Sequence, residues 1–486
     1  VLFRETGRRA AQGPKLRANT RDFFSRPSRA MTSVVGGGGG GPLEKNRTKV
    51  VANVGADVVG KRRSVRAAAA GTSSAAPAPI ICVDTETYDK QLGDKVERVR
   101  TQFADFFSGE LEVFRSKKKH YRMRSEFRIW HDYEQGTEKD LYYVMFQGGG
   151  HDQKRFRVDD FDVGSELLNR LMRKIIEGVR GNEVLSKKIF QANFHTTLSG
   201  QAMVSLLYHR KLDEEWKAEA EKLRQQLATA EGLEEGHIPS LIGRSRKQKE
   251  VLGVDHVTET LRVCGRDLSY RQLEGNFSQP NGGMCINMLE WAVKHTRPEG
   301  GEPKDDLLEL YCGNGNFSIA MAENFRRCVG TEISKRSVAA AQHNIKANGV
   351  ENVVIARCGS EEFSAALLSD KMKSFKRFEQ QGLDLSECDF GTVLVDPPRA
   401  GLDDDTVKLV SKFGTIVYIS CNPDTLWENV KALSETHDVA HFALFDQFPY
   451  SHHVECGVVM RKRAKGKRAR EAGGAGEEED AAKAKK

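Results

Sequence analysis

A cysteine at the end of an apolar run is the first place in this chain of 486 residues where side-chain types could do chemistry. The segment Phe413-Gly414-Thr415-Ile416-Val417-Tyr418-Ile419-Ser420 is β-branched and aromatic and reads as a buried strand, which Asn422-Pro423 stops directly after Cys421. Such a strand end lies at the carboxyl lip of a sheet, where loops of open parallel α/β sheets converge on a ligand crevice. A lone cysteine there is more often a small buried hydrophobe. Two neighbours change its meaning. Thr392-Val393-Leu394-Val395 is a second apolar strand ending in Asp396-Pro397-Pro398-Arg399, and His452-His453-Val454-Glu455-Cys456-Gly457 brings another carboxylate behind an aromatic segment. A nucleophile, a polar loop and a second carboxylate on successive elements form a candidate active site.

The elements that must position these groups begin further upstream. Asp306 to Tyr311 reads as a strand, Cys312-Gly313-Asn314-Gly315-Asn316-Phe317-Ser318 as a glycine turn entering a helix, and Arg327 to Thr331 as a second strand ending in Glu332. A glycine loop after a first strand, with an acid at the end of the second, is a nucleoside-binding arrangement: backbone approaches the ligand and the carboxylate accepts from ribose hydroxyls. Ser318 stands where a dinucleotide fingerprint has its third glycine, which weakens a dinucleotide reading. An S-adenosylmethionine site has no pyrophosphate to cradle and needs no such tight helix approach. Asn276-Phe277-Ser278-Gln279-Pro280-Asn281 opens a helix to about Lys294, Val338 to Ala347 is helical, and Val353 to Ala356 is a strand. Continued alternation to the end predicts a doubly wound, Rossmann-like α/β domain over 276–462.

Composition bounds the rest. No apolar run approaches the roughly 18 residues of a membrane span, so no membrane partner is expected. Nine scattered cysteines without a CxxC pair argue against a metal or iron–sulfur site and fit a reducing compartment. Up to position 80 there are 15 Arg and Lys against four acids, with glycine and alanine runs at Gly36–Gly41 and Ala67–Ala70. That text predicts a disordered extension over 1–85. It also has the character of an organellar transit peptide, for a plastid or mitochondrion, with cytoplasm or nucleus as the alternative. A charged disordered tail is expected over 463–486.

Between these lies an expected α+β domain over 86–275. Tyr88 to Phe107 reads as an amphipathic helix, Ser165 caps a helix with an apolar stripe through Leu168, Leu171 and Ile175, and Ile189–Leu198 with Ala202–His209 reads as a hairpin. From Arg115 to Trp130 seven basic residues interleave with Tyr121, Phe127 and Trp130. Such a run suits a surface that neutralises phosphates while aromatic faces stack on unpaired bases. Lys117, Lys118, Lys119, Tyr121, Arg122, Arg124 and Arg128 are the residues expected to bind RNA.

Several of these segments carry a resemblance. His120-Tyr121-Arg122-Met123-Arg124, Phe277-Ser278-Gln279-Pro280-Asn281, Leu308 to Phe317, Asp396-Pro397-Pro398-Arg399, Ser420-Cys421-Asn422-Pro423 and His453 to Gly457 together resemble the bacterial tRNA (uracil-5-)-methyltransferases, over about 86–462. The related ribosomal-RNA enzymes usually carry an N-terminal cysteine cluster, whereas here Cys82 is the only cysteine before Cys264. The resemblance implies S-adenosylmethionine as methyl donor, held by Gln279, Tyr311, Asn316, Glu332 and Asp396, and no metal or iron–sulfur cluster. It implies Cys421 as nucleophile and Glu455 as base in making m5U54 of the tRNA T-loop. A monomer acting on the T-arm is expected, with other T-loop-like RNA as further partners.

The chemistry of the residues agrees. Uracil C5 is a poor nucleophile until a thiolate adds at C6, and the C5 proton must then leave to a base. A free thiol is only slightly ionised at neutral pH, so the site is expected to favour the thiolate. The rival readings are an rRNA or tmRNA uracil methyltransferase, an exocyclic-amine methyltransferase, an RNA-folding chaperone and a dehydrogenase.

Overall fold

The computed structural model describes residues 81–134, 137–147, 154–368 and 378–464. The extension before residue 81 and the tail from 465 lie outside them, as does Gly148-Gly149-Gly150, a run that the sequence predicts to be a turn. The strands are β1 (Leu111–Phe114), β2 (Arg124–Glu134), β3 (Thr137–Gln147), β4 (Lys154–Val158), β5 (Ile189–Thr196), β6 (Ala202–Tyr208), β7 (Ser240–Ser245), β8 (Gln248–Leu252), β9 (His256–Val263), β10 (Arg266–Leu273), β11 (Asp306–Leu310), β12 (Cys328–Thr331), β13 (Val353–Ala356), β14 (Phe390–Val395), β15 (Thr415–Ser420), β16 (His437–Phe445) and β17 (Glu455–Lys462). The helices are α1 (Tyr88–Gln102), α2 (Glu166–Arg180), α3 (Glu183–Ser186), α4 (Glu214–Leu227), α5 (Gly282–Thr296), α6 (Asn316–Met321), α7 (Lys335–Ala347), α8 (Ser360–Leu368), α9 (Asp404–Val410) and α10 (Pro423–Leu433). None of them is long and apolar enough to cross a membrane.

The apolar runs that end in candidate site residues are central strands of an eight-stranded sheet, ordered β1-β16-β17-β15-β14-β11-β12-β13. Strands β13, β12, β11, β14 and β15 are mutually parallel, and β17 inserts antiparallel between β15 and β16. Every residue of β11 and β15 is buried, as expected of strands covered on both faces. One face packs Leu307, Leu394, Ile419 and Phe445 against α5 and α6; the other packs Leu308, Val393, Tyr418 and Leu444 against α1, α9 and α10. This is the predicted Rossmann-like α/β architecture.

A second sheet, ordered β4-β3-β2-β5-β6-β7-β8, carries α2 and α4 on one face. Ser165 caps α2 by accepting from the Leu168 N–H at 3.1 Å, and Leu168, Leu171, Met172 and Ile175 are wholly buried against Phe127, Tyr143 and Phe194. The predicted hairpin is β5–β6.

The layers do not divide at residue 275. Within the segment expected to belong to the N-terminal domain, β1 pairs in parallel with β16 as the edge of the larger sheet. Tyr88, Leu92 and Val99 of α1 share a core with Phe442 and Leu444. The physical reason is that a four-residue edge strand and a helix with one apolar stripe need a large surface to cover, and the larger sheet offers it. The β9–β10 hairpin likewise packs Leu261, Val263, Leu268 and Tyr270 onto Met284 and Met288 of α5. Asn344 of α7 and Asn348, which caps that helix, accept from the hairpin's backbone.

Candidate active site

Strand register brings the predicted residues together. Thr331 is level with Leu310, Leu310 with Val395, and Val395 with Tyr418. The next residue on each strand is Glu332, Tyr311, Asp396 and Ile419, one row along the carboxyl edge. In the antiparallel pair β15–β17, Ser420 opposes Cys456. One step further puts Cys421 opposite Glu455. Opposed residues on paired strands present side chains to one face, with Cβ atoms about 4.5–5.5 Å apart. Parity with Leu394, Ile419 and Phe445 puts Asp396, Cys421 and Glu455 on the α5 side of the sheet.

Local structure fixes the lip. Asn422 caps α10 by accepting from Asp424 N–H at 3.2 Å, with Pro423 in the first helical turn. Asn422 Nδ2 and Thr425 Oγ1 both donate to the Arg399 carbonyl, at 2.9 and 3.2 Å, which fastens the Asp-Pro-Pro-Arg loop to the cysteine loop. Lys95 of α1, itself buried, donates to Asp446 at 2.7 Å and to the Phe448 carbonyl at 2.9 Å. Tyr121 Oη donates to the Pro449 carbonyl at 3.2 Å. These bonds hold the connection that leads into Glu455.

The electrostatics differ from expectation at the thiol. Burial, followed by the charges of Glu455 and Asp396, pushes Cys421 up to about 11, against the opposing pull of the Arg399 guanidinium. The expected preference for thiolate is therefore not met in this structure, chiefly because burial disfavours the charged sulfur, with the Glu455 and Asp396 charges adding to it. Burial pushes Asp396 up to about 7. Glu455, 4% exposed, is pushed well above the usual carboxylate range by burial and by Asp396. A carboxyl raised in this way holds a proton more tightly than an exposed one, so it is the stronger base whenever it is ionised.

The glycine loop adjoins this row. Glu332 accepts from Gly313 N–H at 3.1 Å and from Ser334 N–H at 2.6 Å, so its carboxylate is pinned to the loop. Gly313 and Gly315 have φ of +58° and +80°, and a Cβ at Gly313 would meet nothing within 4 Å. Open space therefore lies over that turn. Tyr311 is held at φ +65°, a conformation uncommon outside glycine and typical of sites where backbone is constrained for function. Asn316 reaches Cys285 on α5, its Nδ2 3.4 Å from Sγ. Ser318 donates through N–H and Oγ to the buried Glu309, whose carboxyl burial pushes up to about 8, so the missing third glycine is replaced by a polar lock. Gln279 accepts from the fully buried Gln447 at 2.6 Å. A pinned carboxylate for a diol, open space over a glycine turn and polar side chains on the same edge fit the nucleoside and amino-acid portions of S-adenosylmethionine.

The residues expected to bind RNA separate into two groups. Tyr121 is 4% exposed and Phe127 1%, so neither can stack on a base: in an extended run every second residue faces the core. Arg122 Nε donates to the Arg124 carbonyl at 2.8 Å, and Arg124 Nη1 donates to Ser278 Oγ at 3.1 Å. Arg124 thereby braces the segment leading to Gln279, and both are largely withdrawn from solvent. Lys117 and Arg128 are exposed, while Lys118 pairs with Asp89 and Lys119 with Asp162. Arg155 over Trp130 at 4.1 Å and Arg157 over Tyr142 at 4.5 Å extend the basic aromatic surface across β2, β3 and β4. Their sequence signal was the alternation in Lys154-Arg155-Phe156-Arg157. Gln447 and the Lys95–Asp446 pair carried no local signal.

Comparison with known proteins gives the family and the fold. A family model described as tRNA (Uracil-5-)-methyltransferase matches residues 87–463. A tRNA/tmRNA (uracil-C(5))-methyltransferase of Erwinia tasmaniensis is 51% identical over 378 residues, covering 78% of this chain and 98% of that protein. That of Pectobacterium carotovorum is 52% identical over 378 residues with the same coverage. The crystal structure of Pyrococcus abyssi tRNA (uracil-54, C5)-methyltransferase, in complex with S-adenosyl-L-homocysteine, superposes with a TM-score of 0.56 at 20% identity, covering 77% of this chain and 83% of that one, and so shares the fold. With matching sequence running from α1 through the last strand, the chain belongs to the tRNA (uracil-5-)-methyltransferase family.

Proposed function

We propose that this chain methylates C5 of a T-loop uridine of tRNA, at position 54, through a covalent adduct between Cys421 and C6. The observation carrying the reading is the placement of Cys421 opposite Glu455, with Asp396 on the same face of the lip. S-adenosylmethionine, bound by Gln279, Tyr311, Asn316, Glu332 and Asp396, supplies an electrophilic methyl group. Cys421 gives its thiol proton to water, forms the S–C6 bond as thiolate and sends the C5–C6 π pair toward C5 and O4. C5 then forms its bond to the methyl carbon as the S–CH3 bond of S-adenosylmethionine breaks, the electron pair leaving on sulfur as S-adenosylhomocysteine. Glu455 removes the C5 proton, and the S–C6 bond breaks to restore the ring and return the sulfur. The raised Glu455 carboxyl suits it to this proton, while a resting thiol at Cys421 is protected until the base arrives. Relatives whose names include tmRNA support other T-loop-like RNAs as further substrates.

The test uses the full chain, S-adenosylmethionine and a T-arm hairpin bearing 5-fluorouridine, resolved on a denaturing gel. Fluorine cannot leave as a proton, so a shifted band is expected that disappears in Cys421→Ala. Absence of the band despite confirmed binding of hairpin and cofactor would overturn the adduct.

A further inference from the structure

Away from the catalytic lip, three residues from distant parts of the chain meet at the edge of the larger sheet. Glu112 lies on β1 beside Ala443, His441 lies two residues earlier on β16, and His295 is in the last turn of α5. Their candidate ligand atoms all lie within 4.8 Å of one another. The two imidazole rings are 4.0 Å apart between centroids, at 32°. His295, with 7% of its side chain exposed, places Nε2 2.7 Å from Glu112 Oε1.

We propose that Glu112, His295 and His441 form a binding site for a divalent transition-metal ion, Zn2+ foremost, that fastens β1 and β16 to α5. Two imidazoles and one carboxylate are a nitrogen–oxygen set suited to zinc, and three protein ligands leave a fourth position for water. Glu112 is oriented by partners of its own. Trp291 Nε1 donates to Oε1 at 2.9 Å and Lys294 Nζ to Oε2 at 2.8 Å, and outer partners of this kind fix a ligand's direction. Lys294 and Arg461 are the cationic groups nearby, and both oppose a metal, so binding weaker than that of a closed four-ligand site is expected. Helix α5 has 15 residues and spans about 22 Å between this cluster and the Gln279 end, so the ion is structural and takes no part in methyl transfer.

The experiment titrates Zn2+ into the full chain by calorimetry, with Co2+ absorption as a second readout. One equivalent is expected, with weak d–d bands and no thiolate charge-transfer band, together with a rise in the melting midpoint. His441→Gln, at a solvent-facing position of β16, should weaken binding at least about tenfold and abolish the rise, while the exposed His343→Gln should change neither. Unaltered binding in His441→Gln, or a Co2+ spectrum dominated by thiolate, would overturn the site. So would the absence of any uptake by the intact chain.

Discussion

At the scale of single residues, the resting thiol gives the sharpest prediction. With Cys421 raised to about 11, its alkylation by iodoacetamide should be slow at neutral pH and should climb steadily with pH, because only the minor thiolate reacts. Glu455→Gln removes a neighbouring negative charge, so the alkylation profile should move to lower pH; Arg399→Ala removes the opposing positive charge and should move it upward. A profile unchanged in Glu455→Gln would separate the two side chains electrostatically. The same variant should leave attack at C6 intact while blocking loss of the C5 proton, so the RNA adduct with natural uridine should accumulate on a denaturing gel. Rapid turnover without adduct would remove Glu455 from the role of base.

At the scale of elements, the buried pair Lys95–Asp446 joins α1 to the connection before β17. Its side chains are only 6% and 1% exposed, so removing one partner strands the other charge inside the protein. Lys95→Met should lower stability by about 3–5 kcal/mol, read from urea unfolding, whereas replacing both residues with apolar groups should recover much of the loss. Legibility followed locality. The strands ending in Asp396 and Cys421, and the turn before Asn316, were readable because short apolar runs stop at Pro, Gly and Asn. The place of β1 was not readable, since its partner β16 begins more than 300 residues later and nothing in Leu111–Phe114 names it. The reading of Tyr121 as a stacking residue failed for a related reason: charge and aromatic content mark a nucleic-acid surface, but strand parity decides which half of it faces water.

For the whole molecule, the formal charge of +7 matters through its distribution. Replacing Lys117, Lys118 and Lys119 together should flatten the dependence of log affinity for tRNA on log salt, by up to about 0.9 for each phosphate left without its lysine. Lys119 should contribute least, since it already pairs with Asp162 at 2.9 Å. Arg122→Ala and Arg124→Ala should instead lower stability, seen as a shifted urea midpoint, because their partners are backbone and Ser278. A fragment starting at residue 276 should fail to give a cooperative melt by circular dichroism. It would lack α1, β1 and the β9–β10 hairpin, exposing Phe442, Met284 and Met288.

The insertion of β17 between β15 and β16 has a consequence for how the protein is made. Until residues 455–462 leave the ribosome, β15 has an open edge and β16 has no neighbour on that side. The strand that carries Glu455 is thus also the piece that closes the sheet, and as the last described strand to be synthesised it is placed late. A nascent chain can hold its cysteine loop long before it can use it; competence and completion of the sheet arrive together, in the last strand described.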